Sequence, residues 1–333
     1  MDFLDPAGVI ASIVIGLVAG LVGGMAGIGG SIIMLPALAL WFGYDTPGRT
    51  EHHAYMAAAM CVNAVVAFFS ARKHAAKGAV HTPTVTVLLP AMIAAIVAGV
   101  LISNQFDGTI PKLALVVFIL GYCVYCVIPP RKPSPHAKAD PNDPNGAVLR
   151  PEGRSTPTSK PSPHAEGDPE DPNGAVLRPE GRSTPPQRLR LSAVAALTGF
   201  AAGFLGIGGG IILVPLLQVV GKIPLRRAIA ASATVMIFTA PIGAALKLST
   251  LHTFGIDWLD ALALASLMAI GAVLGARAGA TLTHSLRLPH LKLAIALILA
   301  AAAVRMAANS INELTQGTPA PTTTPAETPD LDS

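Results

Sequence analysis

The sequence predicts an all-α polytopic membrane protein made of two similar halves, and three observations carry that prediction. Apolar residues make up 52% of the 333 and charged ones only 13%, with a mean hydropathy of +0.57, so most of the chain cannot face water. Apolar runs of about 20 residues, enough to cross roughly 30 Å of hydrocarbon as helix, recur along the sequence. A glycine-rich phrase is written twice, as "GGMAGIGGSIIMLP" from Gly23 and "GFLGIGGGIILVP" from Gly203. Alternating ten-residue patterns are missing, so helices rather than a barrel are expected to satisfy the backbone in lipid.

Taken in order, the first run, Gly8 to Phe42, is too long for one simple span and carries the first glycine turn. Apolar segments follow over Ala54 to Ser70, Thr84 to Ser103 and Lys112 to Ile128. A second long run, Leu191 to Val220, carries the second turn, and Ala228 to Leu246, Asp257 to Gly275 and Leu288 to Ala308 complete the set. The repeat is the architecture: two four-element halves, residues 1–128 and 191–309, each opening with a glycine-broken hairpin. Asp2 and Asp5 stand where a signal peptide needs positive charge, so the N-terminus is expected to be retained.

Residues 129–190 are hydrophilic and rich in Pro, Gly, Ser and charge, which predicts a disordered linker. It holds its own tandem copy: "KPSPHAKADPNDPNGAVLRPEGRSTP" from Lys132 returns with a period of 28 as "KPSPHAEGDPEDPNGAVLRPEGRSTP" from Lys160. It reads as a spacer, with partner recruitment by the repeat as the alternative. The tail over 310–333 is acidic and likewise expected to be unstructured.

Counting Lys and Arg in short loops chooses between two topologies. If every run crosses once, the linker side holds Arg72, Lys73, Lys77, Lys247 and Arg305 against seven residues opposite, the wrong sign. If each long run returns to its own face, the linker side holds Arg72, Lys73, Lys77, Lys222, Arg226, Arg227, Arg287 and Lys292 against Arg49, Lys112, Lys247 and Arg305. The second count predicts re-entrant hairpins and inverted repeats, with a cytoplasmic linker and an external tail. A single kinked span at each turn is the competing arrangement.

Glycine permits a positive φ and close backbone approach, as a reversal between two half-helices requires. The second half-helices are expected to start at Ser31 and about Gly210, with unpaired N–H groups and positive dipole ends at the midplane. Two such ends suit an anion. The substrate-binding residues expected on this reading are Gly27, Ile28, Gly29, Gly30 and Ser31 with Gly206, Ile207, Gly208, Gly209 and Gly210. Asn63, Ser232 and Thr234, in the segment after each hairpin, are candidate donors to an oxyanion, with interhelical bonding as the plainer role. Arg277, inside an apolar segment, either pairs with substrate or snorkels to the interface. A dinucleotide fingerprint fails, because G-x-G-x-x-G meets Ile32 or Ile211 at its last position and no strand precedes.

At these residues the chain resembles the TauE/SafE sulfite exporter family of membrane transporters. "GLVGGMAGIGGSIIMLPAL" and "GFAAGFLGIGGGIILVPLL" are similar to its duplicated signature, and "GAVLGARAGATL" from Gly271 to its later Gly/Ala-rich segment. The resemblance covers both membrane halves and implies export or uptake of small sulfur-containing anions such as sulfite, thiosulfate or organosulfonates. Ser31 departs from the other copy, which has Gly210, and the linker repeat is no family feature.

Cys61 reads as filler, or as a thiol near a sulfur substrate, and Cys123 and Cys126 as packing rather than a metal pair. Glu51, His52 and His53 read as a solvated outer loop, with titration or metal binding as the alternative. The overall expectation is a carrier with no cofactor and no metal, in contact with lipid and a small anion, with protons as the candidate coupling ion and no nucleic acid. An intramembrane hydrolase lacks its nucleophile and base, since Asp257 and Asp260 lie at a boundary. A membrane scaffold acting through the linker is the remaining alternative.

Overall fold

The computed structural model describes residues 3–26, 29–44, 49–76, 82–127, 185–282 and most of 300–308. Among them every regular element is helical: α1 (Pro6–Ala26), α2 (Ser31–Trp41), α3 (Glu51–Ala76), α4 (Thr82–Ser103), α5 (Thr109–Val127), α6 (Pro185–Leu205), α7 (Gly210–Val219), α8 (Leu225–Thr250), a 3₁₀ turn (Leu251–Phe254) and α9 (Trp258–Leu282). Six of the helices are long and apolar enough to cross a membrane, and α2 and α7 are shorter apolar helices of 11 and 10 residues. The linker repeat, the acidic tail and most of the run from Leu288 lie outside the described residues.

The two long runs break where the glycines stand. α2 starts at Ser31 and α7 at Gly210, each with a glycine as N-cap and no side-chain capping bond. Gly29, Gly206, Gly208 and Gly209 all have φ between 71 and 78°, a left-handed conformation that a side chain disfavours. A Cβ on Gly23 would reach the Gly29 backbone and one on Gly30 the Ala19 backbone, so α1 and α2 close a tight reversal. α6 starts at Pro185, ahead of the expected Leu191 boundary, because proline is pre-organised for a first helical turn and Arg188 and Arg190 stay exposed on it.

Packing exchanges the halves. α1 lies on α9, and α6 on α4, through glycines that let backbones touch. Gly271 meets Ile13, Gly275 meets Leu17 and Gly279 meets Leu21, so α1 and α9 run parallel. Gly199 meets Met92 and Gly203 meets Ile96, so α4 and α6 do too. α3 and α8 pack on each other in the opposite sense: His53 at the start of α3 bonds Lys247 near the end of α8, and Gly243 lies against Met60. Arg49 and Lys222, each just ahead of the third helix of its half, share a positive φ near 50°. The core runs around α3, whose residues from Ala54 to Met60 are fully or almost fully buried.

Candidate functional site

The two glycine turns meet beside the middle of α3. Ser31 Oγ, at the first turn of α2, donates to the Ile207 carbonyl of the other half at 2.5 Å. Asn63, twelve residues into the 26-residue α3, accepts from the Gly30 N–H through Oδ1 at 3.2 Å. A Cβ on Gly29 would touch Asn63 Oδ1 and Met236 Cε, and one on Gly208 would touch the Asn63 amide and the same methyl. Asn63 therefore stands between both turns. Its side chain is fully buried, and its Nδ2 has no hydrogen-bond partner, a condition that costs about 1–3 kcal/mol for a buried donor.

Of the expected residues, the structure brings together Gly29, Gly30, Ser31, Asn63, Ile207 and Gly208, with Gly206, Gly209 and Gly210 lining the same reversal from α6 to α7. Gly27 and Ile28 lie outside the described residues. Gly206 packs its backbone on Met56, and Gly209 packs on Met92, Ala202 and Thr198. The remaining three candidates are occupied elsewhere. Thr234 Oγ1 donates to the Ala230 carbonyl of its own helix at 2.8 Å, Ser232 is buried with Oγ 4.0 Å from Met236 Sδ, and Arg277 is exposed, its guanidinium 5.4 Å from the Phe69 ring centre. Met236, which sequence reasoning missed, closes the junction from α8.

Two polar regions flank the junction at opposite ends of α3 and α8. A cleft of about 210 Å³ at the start of α8 is lined by Thr84, Gln187, Lys222 and Arg227 among others. At the other end Glu51, His52, His53, Ser103, Lys112 and Lys247 are buried, which corrects the solvated-loop reading of Glu51, His52 and His53: they form the first turn of α3, covered by Phe106, Tyr44 and Phe254. Tyr44 lies outside the spanning helices, and its phenol is pushed well above 10.0 by burial first, with Tyr55 and Glu51 adding to the effect and Arg49 opposing it. Cys61 is half-buried and Cys123 buried. Among the described residues no group of three metal-ligating side chains forms.

A helical membrane protein whose spans enclose two glycine-broken helices, tip to tip, defines the class as a polytopic carrier-like bundle. The chain belongs to the sulfite exporter TauE/SafE family, whose model matches residues 12–306, and is thus a member of a membrane transporter family. It is 28% identical over 291 residues to the "probable membrane transporter protein MamO" of Magnetospirillum gryphiswaldense and 27% identical over 291 residues to the protein of the same name in Paramagnetospirillum magneticum. These alignments cover 84% of this chain and 42% and 41% of the relatives, so the chain spans about two fifths of the length of the curated relatives it matches. A shorter match, 32% over 106 residues, covers 31% of this chain and 39% of the "probable membrane transporter protein MJ0441" of Methanocaldococcus jannaschii. No solved structure matches.

Proposed function

We propose that the protein is a carrier of a small sulfur-containing anion such as sulfite, thiosulfate or an organosulfonate, held at mid-membrane by the N–H groups of α2 and α7 and by Asn63 Nδ2. The single observation that carries this reading is the buried Nδ2 of Asn63, which has no hydrogen-bond partner, at the contact between two helix starts whose N-cap glycines offer no side-chain cap. An orphan donor beside two positive dipole ends matches a ligand that only accepts hydrogen bonds. Non-helical backbone at this depth is tolerated where it is buried in protein or lines a water-filled cavity.

The halves are read as inverted repeats: α3 and α8 occupy matching places and run antiparallel, while α1 pairs with α9 as α6 pairs with α4. Each hairpin then enters and leaves by one face, and rocking of one half against the other exposes the junction alternately. The charge count supports a cytoplasmic linker, with the end of α8 on the opposite, outer face. The reading is tested by flux of labelled sulfite, thiosulfate and taurine into proteoliposomes. Wild-type protein is expected to carry at least one of them, and Gly29→Leu, which fills the contact with Asn63 at a positive φ, to carry none. Equal flux in both removes the proposed site. The scaffold alternative gains no support from the described residues, since the linker lies outside them.

A further inference from the structure

We propose, resting on the carrier reading above, that Met236 is the residue that sets the specificity of the junction. Its methyl group faces the fourth position of the bound anion, so the site takes anions with three oxygens on sulfur and refuses sulfate. Met236 stands near the middle of the 26-residue α8, as Asn63 does on α3, and both side chains are buried. Each reaches the same two glycines. A Cβ on Gly29 would lie 3.0 Å from Asn63 Oδ1 and 3.1 Å from Met236 Cε, and one on Gly208 would meet the Asn63 amide and lie 3.3 Å from Met236 Cε. Ser232 Oγ, one turn earlier on α8, lies 4.0 Å from Met236 Sδ, so the sulfur stays beside its own helix and the methyl end reaches the glycines. The wall of the second turn is hydrocarbon as well: Gly209 faces Met92 Cε, Ala202 Cβ and Thr198 Cγ2, and Gly206 faces Met56.

The anions named above share one shape. Sulfur carries three oxygens, and its fourth position holds a lone pair in sulfite, a sulfur in thiosulfate or a carbon in an organosulfonate. Sulfate carries a fourth oxygen there, which accepts strong hydrogen bonds in water. Pressed against a methyl, that oxygen loses them and gains nothing in return, while a sulfur or a carbon in its place loses little. One stranded acceptor of this kind is worth about tenfold to a hundredfold in affinity. The three remaining oxygens fall to the donors of the junction, Asn63 Nδ2 and the N–H groups of the two helix starts.

Methionine suits this task better than a branched residue. The fourth position ranges from a lone pair to a carbon chain, and an unbranched thioether with three rotatable bonds fits its methyl to each. Met56 and Met92, both fully buried against Gly206 and Gly209, extend the same soft wall along the second turn. Two dianions isolate the effect, because thiosulfate and sulfate carry the same charge in nearly the same shape and differ only at the fourth position. The pull of the two helix starts on the charge therefore cancels between them, and what remains is the contact with Met236.

The experiment titrates full-length protein in nanodiscs with thiosulfate and with sulfate. It reads the saturable protection from thermal unfolding, since sulfate also stabilises proteins generally by exclusion. Wild type is expected to bind thiosulfate about tenfold or more tighter than sulfate. Met236→Gln, nearly the same length but ending in an amide donor, is expected to gain about tenfold for sulfate and bring the two anions close to parity. Met236→Leu, which keeps a methyl wall, is expected to preserve the preference. Equal affinity for the two anions in wild type overturns the assignment and leaves the anion site at the junction standing. So does an unchanged preference in Met236→Gln, or one lost as fully in Met236→Leu. Protection by neither anion also overturns it, and a titration with sulfite then shows whether the junction binds an anion at all. A further arm needs no folded glutamine variant. In methyl-labelled methionine NMR spectra of wild type, the Met236 signal, assigned by its loss in Met236→Leu, is expected to shift on saturation with thiosulfate. A signal that stays fixed while thiosulfate protects the protein overturns the contact.

Discussion

Replacing Asn63 by leucine and by aspartate separates a structural from a ligand-binding role for its amide. In the folded protein Oδ1 accepts the Gly30 N–H at 3.2 Å while Nδ2 has no partner. Leucine deletes the acceptor, which costs about 1–3 kcal/mol for the stranded N–H, and also deletes the orphan donor, whose removal returns a similar amount. The net change in stability is therefore expected within about 1 kcal/mol of zero. Aspartate keeps the acceptor and strengthens its bond to Gly30 by charge, but sets a carboxylate oxygen where the donor stood. At about 4 Å from a bound anion, with an effective dielectric near 20, the repulsion is about 4 kcal/mol, close to a thousandfold in affinity.

The assay is protection from thermal unfolding by sulfite and thiosulfate in nanodiscs, since a ligand at about 100 times its Kd stabilises by about 2.7 kcal/mol. Both variants are expected to fold and to lose protection, and Asn63→Asp to lose it more completely as the buffer is made alkaline and the carboxyl ionises. An Asn63→Asp protein protected as well as wild type would refute the assignment of the junction to an anion.

Two further outcomes follow from the same geometry. Thr253, on the 3₁₀ turn that follows α8, and Gln187, in the first turn of α6, are both exposed; cysteines introduced there, in a background without Cys61, Cys123 and Cys126, are expected to react with an impermeant maleimide from opposite faces of the membrane, Thr253→Cys from outside, and labelling from one face would sink the inverted arrangement. Tyr44, raised above 10.0 mainly by burial, favours its neutral form in the folded state, so its contribution is whole below the unfolded value and is lost as pH climbs through the folded one. Tyr44→Phe should hold its unfolding temperature further into alkali than wild type, and a tyrosinate band that rises at the ordinary phenol pH in the folded protein would contradict this.

Local chemistry made part of this structure readable. Glycine clusters followed by Pro36 and Pro215 locate the starts of α2 and α7 because backbone reversal needs positive φ, a property of the residues themselves. Contact between the two turns depends on Ser31 finding Ile207, 176 positions later, and no local pattern encodes such a pair. Lys247 misled for a related reason. It lies just past the apolar run ending at Leu246, so it counted as a loop charge, yet α8 continues to Thr250 and the helix start at His53 covers it. Polar residues at segment ends are ambiguous until the other half is in place, which is also why Glu51, His52 and His53 read as loop.

One asymmetry between the turns, Ser31 in the first where the second has Gly210, bears on the proposed ligand of the junction. A glycine turn that frees N–H groups also frees carbonyls, whose negative ends would repel an anion. At the second turn the Ile207 carbonyl is capped by the Ser31 hydroxyl of the opposite half, so the donor-rich side of the junction is left facing Gly29, Gly208 and the Asn63 amide. Serine at this position in the first copy, where the second has Gly210, then has a physical reason: one hydroxyl suffices to mask one carbonyl, and it reaches across only when the tips touch. Ser31→Ala would unmask Ile207 and strand its oxygen, at about 1–3 kcal/mol. On the carrier reading proposed above, the mask would form and break as the halves rock, and donor and acceptor character at the junction would alternate with that motion.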